Sequence, residues 1–363
     1  MKDNQQVDVV IVGAGPAGVA AALTLQTRNI SFILVDAQLT ANHKPGECLP
    51  PNTFSLFKQL GLMNLLNHQA HTFYWGNKSC WGTSEISEKL FLFYKSSKGV
   101  LLNRLVFEQQ LRDLVLKQEE RVLFGYAVKQ VVQQQGVTNI QLQATSNRLA
   151  IACKYVIDAT GRKAAISKKF QAQKEVMDKL AALEFYYPIN QQIHTFVNTE
   201  SFNQGWLYAA PANKGELAIM LFSDLDLLPA KNQQPAYIKE VINHSTLISQ
   251  LIGEPFDERN IKRLTTRAAN STHMHKPYGS NWLAVGDAAY SFDPVSSFGI
   301  TSALASGYYG AHALADTLQG KKEALAAYHY IMQEAYVHYQ QRLHQFYATE
   351  KRWPQETFWS RRG

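Results

Sequence analysis

The sequence predicts an α/β fold in which a parallel-sheet domain carries an inserted antiparallel β-sheet and ends in helices. Three observations predict it: a glycine-rich turn between two apolar strands near the start, a strand-rich middle without such a turn, and a long helical pattern near the end. At 363 residues, 46% of them hydrophobic, the chain can bury a large core, and its length suits two domains or one with a large insertion.

The stretch 7–36, VDVVIVGAGPAGVAAALTLQTRNISFILVD, organises the chain. β-branched residues (Val7, Val9, Val10, Ile11, Val12) lead into a turn with Gly13, Gly15 and Gly18, then an Ala- and Leu-rich helix and a second strand ending at Asp36. Gly13 permits the tight turn, Gly15 lets backbone approach a pyrophosphate, and Gly18 lets the helix, opened by Pro16 and Ala17, pack on the strand. The helix N-terminus offers free N–H groups to that phosphate. Asp36, 18 residues past Gly18, is spaced to accept ribose hydroxyls, and Ala37 follows it. The stretch reads as a Rossmann-like dinucleotide site.

The elements that follow are read from periodicity and breakers. Residues 37–51 form a loop whose tightest part is Gly46-Glu47-Cys48. Residues 52–66 have helical spacing, and 71–94 alternate aromatic and polar residues as strands do. Residues 103–119 read as a helix with Leu105, Leu111, Leu114 and Val115 inward and Arg104 at its start. A cation there opposes the helix dipole unless an anion is bound, so Arg104 is a phosphate-contact candidate. Segments 122–133 and 140–144 form a hairpin, and an apolar strand runs into Asp158-Ala159-Thr160-Gly161, a second close backbone approach. Four further strands between 183 and 223 form the insertion. A third signature, NWLAVGDAAYSFDPVSSFGI over 281–300, places Gly286 and Asp287 after a strand and Pro294, Ser297, Gly299 and Ile300 before a helix. Backbone N–H groups around 297–299 are candidates for holding negative charge.

Bulk properties narrow the class. The net charge of +7 is scattered, with clusters at 162–169 and at Lys351, Arg352, Arg361 and Arg362 that read as solvated surface, and no module suggests nucleic acid. Three separated cysteines, Cys48, Cys80 and Cys153, suit a reducing, cytoplasmic setting and neither a disulfide framework nor a CxxC metal site. No apolar run of 18 residues exists, so no membrane span is expected. His329, His338 and His344 are nine and six apart rather than four, and no metal is expected; His273 and His275 read as exposed loop.

Together the glycine turn, DATGR at Asp158 and GDAAYSFDPVSSFGI at Gly286 resemble FAD-dependent class A flavoprotein monooxygenases and the related flavin-dependent halogenases. The loop GECLPP is similar to the halogenase-branch GExxxP loop, and DPVSSFGI to its DPxxSxGI segment. The resemblance implies a para-hydroxybenzoate hydroxylase/glutathione reductase-type fold. It places the FAD-binding domain at 1–75, 100–175 and 275–325, a substrate-facing β-sheet domain at 76–99 and 176–274, and a C-terminal helix and basic tail at 326–363. It implies FAD contacts by Gly13, Gly15, Gly18, Asp36, Arg104, Val128, Asp158, Gly161 and Asp287, with 294–300 lining the flavin ring.

Within that superfamily the chain most resembles LodB/GoxB-type flavoproteins, which mature the cysteine tryptophylquinone cofactor of a partner amino-acid oxidase. The resemblance implies hydroxylation of a tryptophan in the precursor of that quinoprotein through a flavin C4a-hydroperoxide, with NAD(P)H or another external reductant and O2. A small-aromatic hydroxylase, a halogenase, a geranylgeranyl-reductase-like enzyme and a non-catalytic flavin-binding chaperone are the other readings. Against halogenation, the halogenase lysine falls near Tyr74, with Lys78 four residues on, and WxWxIP is replaced by 206–211, WLYAAP. Tyr74, Trp206 and Tyr208 are substrate-side candidates. Cys48 and Glu47 are candidate catalytic side chains, with Cys48 as a small buried residue facing the cofactor and Glu47 as a loop anchor the plainer readings.

Overall fold

The computed structural model describes residues 5–42, 47–92, 96–117, 121–190, 195–212 and 215–363, with the side chains of Gln5 and Glu47 excepted. The first sheet has seven strands. Val122–Phe124, Phe32–Asp36, Gln5–Val12 and Arg148–Asp158 lie side by side in parallel, followed by antiparallel Val137–Gln143 and Ala127–Gln134; Trp282–Ala284 joins the C-terminal end of Arg148–Asp158. Val9, Val10 and Ile11 are fully buried because layers cover both faces, which is why the strand reads as a continuous apolar run.

Helices Pro16–Thr27 and Gly299–Leu318 pack on one face of this sheet. Small residues let them approach: a Cβ on Gly307 would lie 2.2 Å from the Ala17 carbonyl oxygen. The helix expected over 103–119 spans Arg104–Leu116, with Asn103 accepting from the Val106 N–H as its cap. Its buried stripe is Arg104, Phe107, Glu108, Leu111, Arg112 and Val115, and Leu105 is exposed. The expected inward Leu105 is corrected because charged residues that pair inside the protein occupy part of the inner face.

The second sheet also has seven strands, in the order Lys262–Ala268, Leu180–Pro188, Glu216–Asp224, Gly205–Pro211, Val197–Phe202, Gly76–Cys80 and Ser87–Leu90. Strand alternation divides its residues. Leu183, Phe185, Leu207, Ile219 and Leu221 pack against helices Gln234–Asn243 and Leu247–Ile252, while Ala182, Trp206, Met220 and Phe222 face the other way. Two three-stranded sheets complete the frame. Lys174–Val176, Thr272–Met274 and Tyr290–Ser291 form one; Glu47–Leu49, Gly99–Leu102 and Thr72–Tyr74 form the other.

The C-terminal helix, Ala324–Tyr347, runs from the first core to the second sheet. Beyond it Phe358 and Trp359 are buried, and Arg362 is 2.6 Å from Asp224, whose side chain is 1% exposed. Arg361 is 2.7 Å from the same carboxylate, and Arg352 is 2.7 Å from Glu350. The tail arginines thus anchor the chain end in ion pairs, correcting their reading as solvated surface. Among the described residues no helix is long and apolar enough to cross a membrane.

Candidate flavin site and substrate wall

The glycine turn, the strand ends and the second sheet enclose one cavity of about 450 Å³, within the range of roughly 300–1,000 Å³ usual for small-molecule sites. Gly13, Gly15, Pro16, Ala17 and Asp36 line one end. Gly13 has φ +109°, and a Cβ there would strike the Ala159 carbonyl oxygen at 2.3 Å; a Cβ on Gly18 would lie 1.8 Å from the Gly13 oxygen. Gly15 differs from both: a Cβ there meets nothing within 4 Å. Its backbone has φ −79°, which any residue adopts. Neither conformation nor packing demands glycine at 15, which leaves room for a ligand as the reason.

Asp36 is held in place at the turn. Its carboxylate accepts the Ala14 N–H at 2.7 Å and the Gln38 N–H at 2.7 Å, and it pairs with the buried Arg112 at 3.2 Å. Arg112 also donates to the Gln38 carbonyl at 2.9 Å. Replacing Arg112 by Leu is expected to weaken FAD binding about tenfold, roughly 1.4 kcal/mol, in a flavin-fluorescence titration. An unchanged affinity would remove Arg112 from the ribose end. Arg104, Ala159, Thr160, Gly161 and Asp287 also line the cavity. Arg104 is buried and paired with Glu108.

The third signature closes the other end. Pro294, Ser297, Gly299 and Ile300 line the cavity, with Ser297 in the left-handed region at φ +54° and its Oγ 3.4 Å from Cys48 Sγ. Cys48 is buried and sits in the wall. Two of the expected charge-holding amides are committed locally: the Ser297 N–H donates to the Pro294 carbonyl at 3.0 Å and that of Phe298 to Ser296 Oγ at 3.3 Å. The short turn Pro294–Ser296 consumes them, and the N-terminal turn of Gly299–Leu318 is what offers unsatisfied N–H groups.

Several expected residues lie outside the cavity wall. The Asp158 carboxylate is fully buried and accepts from Thr160, Ile166 and Ser167, including the Ser167 N–H at 2.7 Å and its Oγ–H at 2.7 Å. It therefore holds the turn after its strand rather than lining the cavity as an FAD contact. Gly18 and Gly286 are packing positions, a Cβ on Gly286 reaching 2.8 Å from Ala17 Cβ. Ala37 is exposed, and Val128 packs on the apolar cluster with Ile140 and Ile151. Tyr74, expected on the substrate side, is 1% exposed in a cluster with Cys48, and burial pushes its hydroxyl pKa up. Gly46 and the Glu47 side chain lie outside the described residues; the Glu47 backbone pairs with Leu102. His273, expected in a loop, is on the central strand Thr272–Met274 of its sheet, whereas His275 is exposed just past it as expected; with Glu175 across the pair the three ligand atoms lie within 4.8 Å of one another. None of the three lines the cavity.

The wall that the second sheet gives the cavity is a grid. Ala182, Phe222 and Trp206 pair across three strands, and Glu184, Met220 and Tyr208 form the next row; all six line the cavity. Trp206 and Phe222 stack with ring centroids 3.9 Å apart, and the Trp206 N–H donates to Tyr347 Oη at 3.0 Å. Glu184 pairs with Arg267 at 2.5 Å, also in the wall. Sequence reading missed this pair, although a lone acid in the apolar strand LAALEFYYP signals it. It also missed Lys174, which donates to the Asp287 carbonyl at 2.6 Å and the Arg162 carbonyl at 3.3 Å, tying together two segments that line the cavity. Burial pushes the Lys174 pKa down to about 8 against the opposing pull of Asp287.

The sequence pattern of an FAD-binding domain matches residues 6–337. The chain belongs to the FAD-binding domain family. LodB of Marinomonas mediterranea is 26% identical over 98% of this chain and 96% of its own length. A 1H-pyrrole-2-carbonyl-[peptidyl-carrier protein] brominase of Pseudoalteromonas luteoviolacea is 23% identical over 88% of this chain and 80% of its own. Among solved structures, the flavin-dependent halogenase CmlS superposes with a TM-score of 0.86 at 20% identity, over 99% of this chain and 68% of its own. QhpG, a peptidyl tryptophan dihydroxylase essential for tryptophylquinone cofactor biogenesis, superposes at 0.80 with 22% identity, over 98% of this chain and 78% of its own. This member of the family is an FAD-dependent oxidoreductase. The open Gly15 face, the helix N-terminus beside it and the restrained Asp36 fit the cofactor.

Proposed function

We propose that this flavoprotein hydroxylates a tryptophan side chain within the precursor of a quinoprotein amino-acid oxidase, during cysteine tryptophylquinone biogenesis. The likeness to LodB over nearly both full lengths and the fold of QhpG support this reading. The observation that carries it against halogenation is the wall itself: among the described residues no lysine lines the cavity. Lys78 instead pairs with Glu88 at 3.2 Å on its own strand pair.

Bound FAD, with NAD(P)H or another external reductant and O2, supplies the oxidising chemistry. The chain supplies position and exclusion of water. Trp206, Phe222 and Met220 give a planar, apolar surface for an indole. Glu184, fixed by Arg267, is the carboxylate on the substrate half of the wall and an acceptor for the indole N–H. Asp36 and Asp287 belong to the cofactor half.

The test is mass spectrometry of the precursor co-expressed with the wild type or with Gly15→Trp. Wild type is expected to add oxygen to the tryptophan and the variant to add none. Equal oxygen content in both would leave a chaperone role in place of catalysis. Oxidation of NAD(P)H stimulated by free phenols or indoles, with an unmodified precursor, would make it a small-molecule hydroxylase.

A further inference from the structure

A second cavity of about 260 Å³ adjoins the first and shares Arg104 and Tyr208 with it. It continues along the same face of the second sheet. The row Ala182–Phe222–Trp206 is followed by Glu184–Met220–Tyr208 and then by Tyr186–Ala218–Ala210, and the last row lines the second cavity. Four residues of strand separate the first row from the third, about 13 Å. A ligand that fills the first cavity and extends along the sheet enters the second after about four residues of extended chain.

Two features make this second cavity favourable to an anion. Helix Arg104–Leu116, 13 residues long, begins in its wall, so the positive end of the helix dipole faces it. Arg263 lines it from the opposite strand, with its guanidinium carbon 5.6 Å from the Tyr186 ring centroid. The pairing of Leu180–Pro188 with Lys262–Ala268 slips between Glu184 and Tyr186, and Arg263 there has φ +57°. A bulky residue in the left-handed region is strained, and bulges beside sites re-aim a side chain. Arg263 holds this strained position in the cavity wall. An arginine fork matches the two oxygens of a carboxylate.

We infer that the second cavity binds the polypeptide flanking the reacting tryptophan, with Arg263 taking the carboxylate of an Asp or Glu about four residues away. The inference rests on the tryptophan-hydroxylase reading and adds a rule of substrate choice to it. Continuity with the substrate wall, rather than with the glycine turn, favours a polypeptide carboxylate over the phosphates of a nicotinamide reductant.

The test uses the full chain loaded with FAD and fluorescein-labelled, end-capped peptides in a Gly/Ser background. Each carries one tryptophan, with Asp or Asn about four residues before or after it. Anisotropy is expected to show one Asp peptide binding at least about tenfold more tightly than its Asn counterpart. Arg263→Gln should reduce that preference below about twofold, and Arg263→Lys should retain part of it. Arg263→Gly relieves the backbone, so its unfolding midpoint should equal or exceed that of the wild type while the preference is lost. Equal binding of Asp and Asn peptides with their tryptophan still oxygenated overturns the subsite and leaves the hydroxylase reading standing. Failure of every peptide to bind or to gain oxygen overturns both. A lowered midpoint in Arg263→Gly makes the residue structural, and an Arg263→Gln effect confined to the KM for NAD(P)H reassigns the cavity to the reductant; either result overturns the inference.

Discussion

Gly15→Trp is expected to yield a folded protein that has lost FAD. The substituted side chain starts from a position with nothing within 4 Å and an ordinary backbone angle, so the apoprotein fold tolerates it. It then fills the space beside the helix N-terminus that a pyrophosphate would take. FAD affinity should fall at least about 100-fold, roughly 2.7 kcal/mol. Purified variant should lack flavin absorbance, and its thermal midpoint should match that of the wild-type apoprotein without rising when FAD is added. The wild type, at FAD about 100 times its Kd, should gain roughly 2.7 kcal/mol. Gly18→Val provides the contrast, since its Cβ would sit 1.8 Å from the Gly13 oxygen and the fold itself should fail. A Gly15→Trp protein that stays yellow with unchanged affinity would falsify the assignment of this turn to the cofactor.

The second large effect concerns Asp293, which begins the turn carrying Ser297. It is wholly buried, accepts the Val295 N–H at 2.9 Å and the Tyr347 hydroxyl at 2.8 Å, and receives the Tyr339 hydroxyl on neither oxygen; instead its own N–H donates to Tyr339 Oη at 2.6 Å. Burial pushes its carboxyl up to about 6, with the Val295 and Tyr347 bonds opposing the rise. The folded state therefore holds a proton between about pH 4 and 6 that the unfolded chain has lost. The stabilisation is fully present below the unfolded pKa and disappears as pH rises through about 6. The unfolding free energy of the wild type minus that of Asp293→Asn should accordingly fall by roughly 3 kcal/mol across that window and stay level above it. Tyr347→Phe removes a donor to the carboxylate and should move the midpoint higher still. Denaturant titrations at a series of pH values measure this, and a difference independent of pH would show that Asp293 does not titrate there.

Much of the cofactor end was legible because neighbours in sequence build it. Strand, glycine turn, helix and second strand are formed from contiguous residues, and their periodicity and breakers are local. The same logic misled at Asp158. The acid that opens DATG after an apolar strand resembles an FAD contact, yet its oxygens are taken by amides that only the following turn brings back. Leu105 shows the converse. Its hydrophobicity suggested the inner face, but Glu108, paired with Arg104 one turn away, and Arg112, paired with Asp36, occupy part of that face.

The side-chain pairs that brace the cavity walls were hidden for a different reason. Glu184 meets Arg267, Arg112 meets Asp36 and Tyr347 meets Asp293, the last pair 54 residues apart in sequence. Glu184 and Asp36 stand out in their own segments, but nothing there names the partner that each one meets. By itself the sequence determined the anchor: a dinucleotide turn whose glycines, strands and Asp36 follow from short-range sterics and hydrogen bonding, and whose two companion motifs point to FAD. Tertiary structure alone decided what faces that anchor. Sheet register, set by pairing across distant strands, placed Trp206, Phe222, Met220 and Glu184 in one grid and aimed Arg263 beside it, because side-chain direction in a sheet depends on pairing that no local window contains.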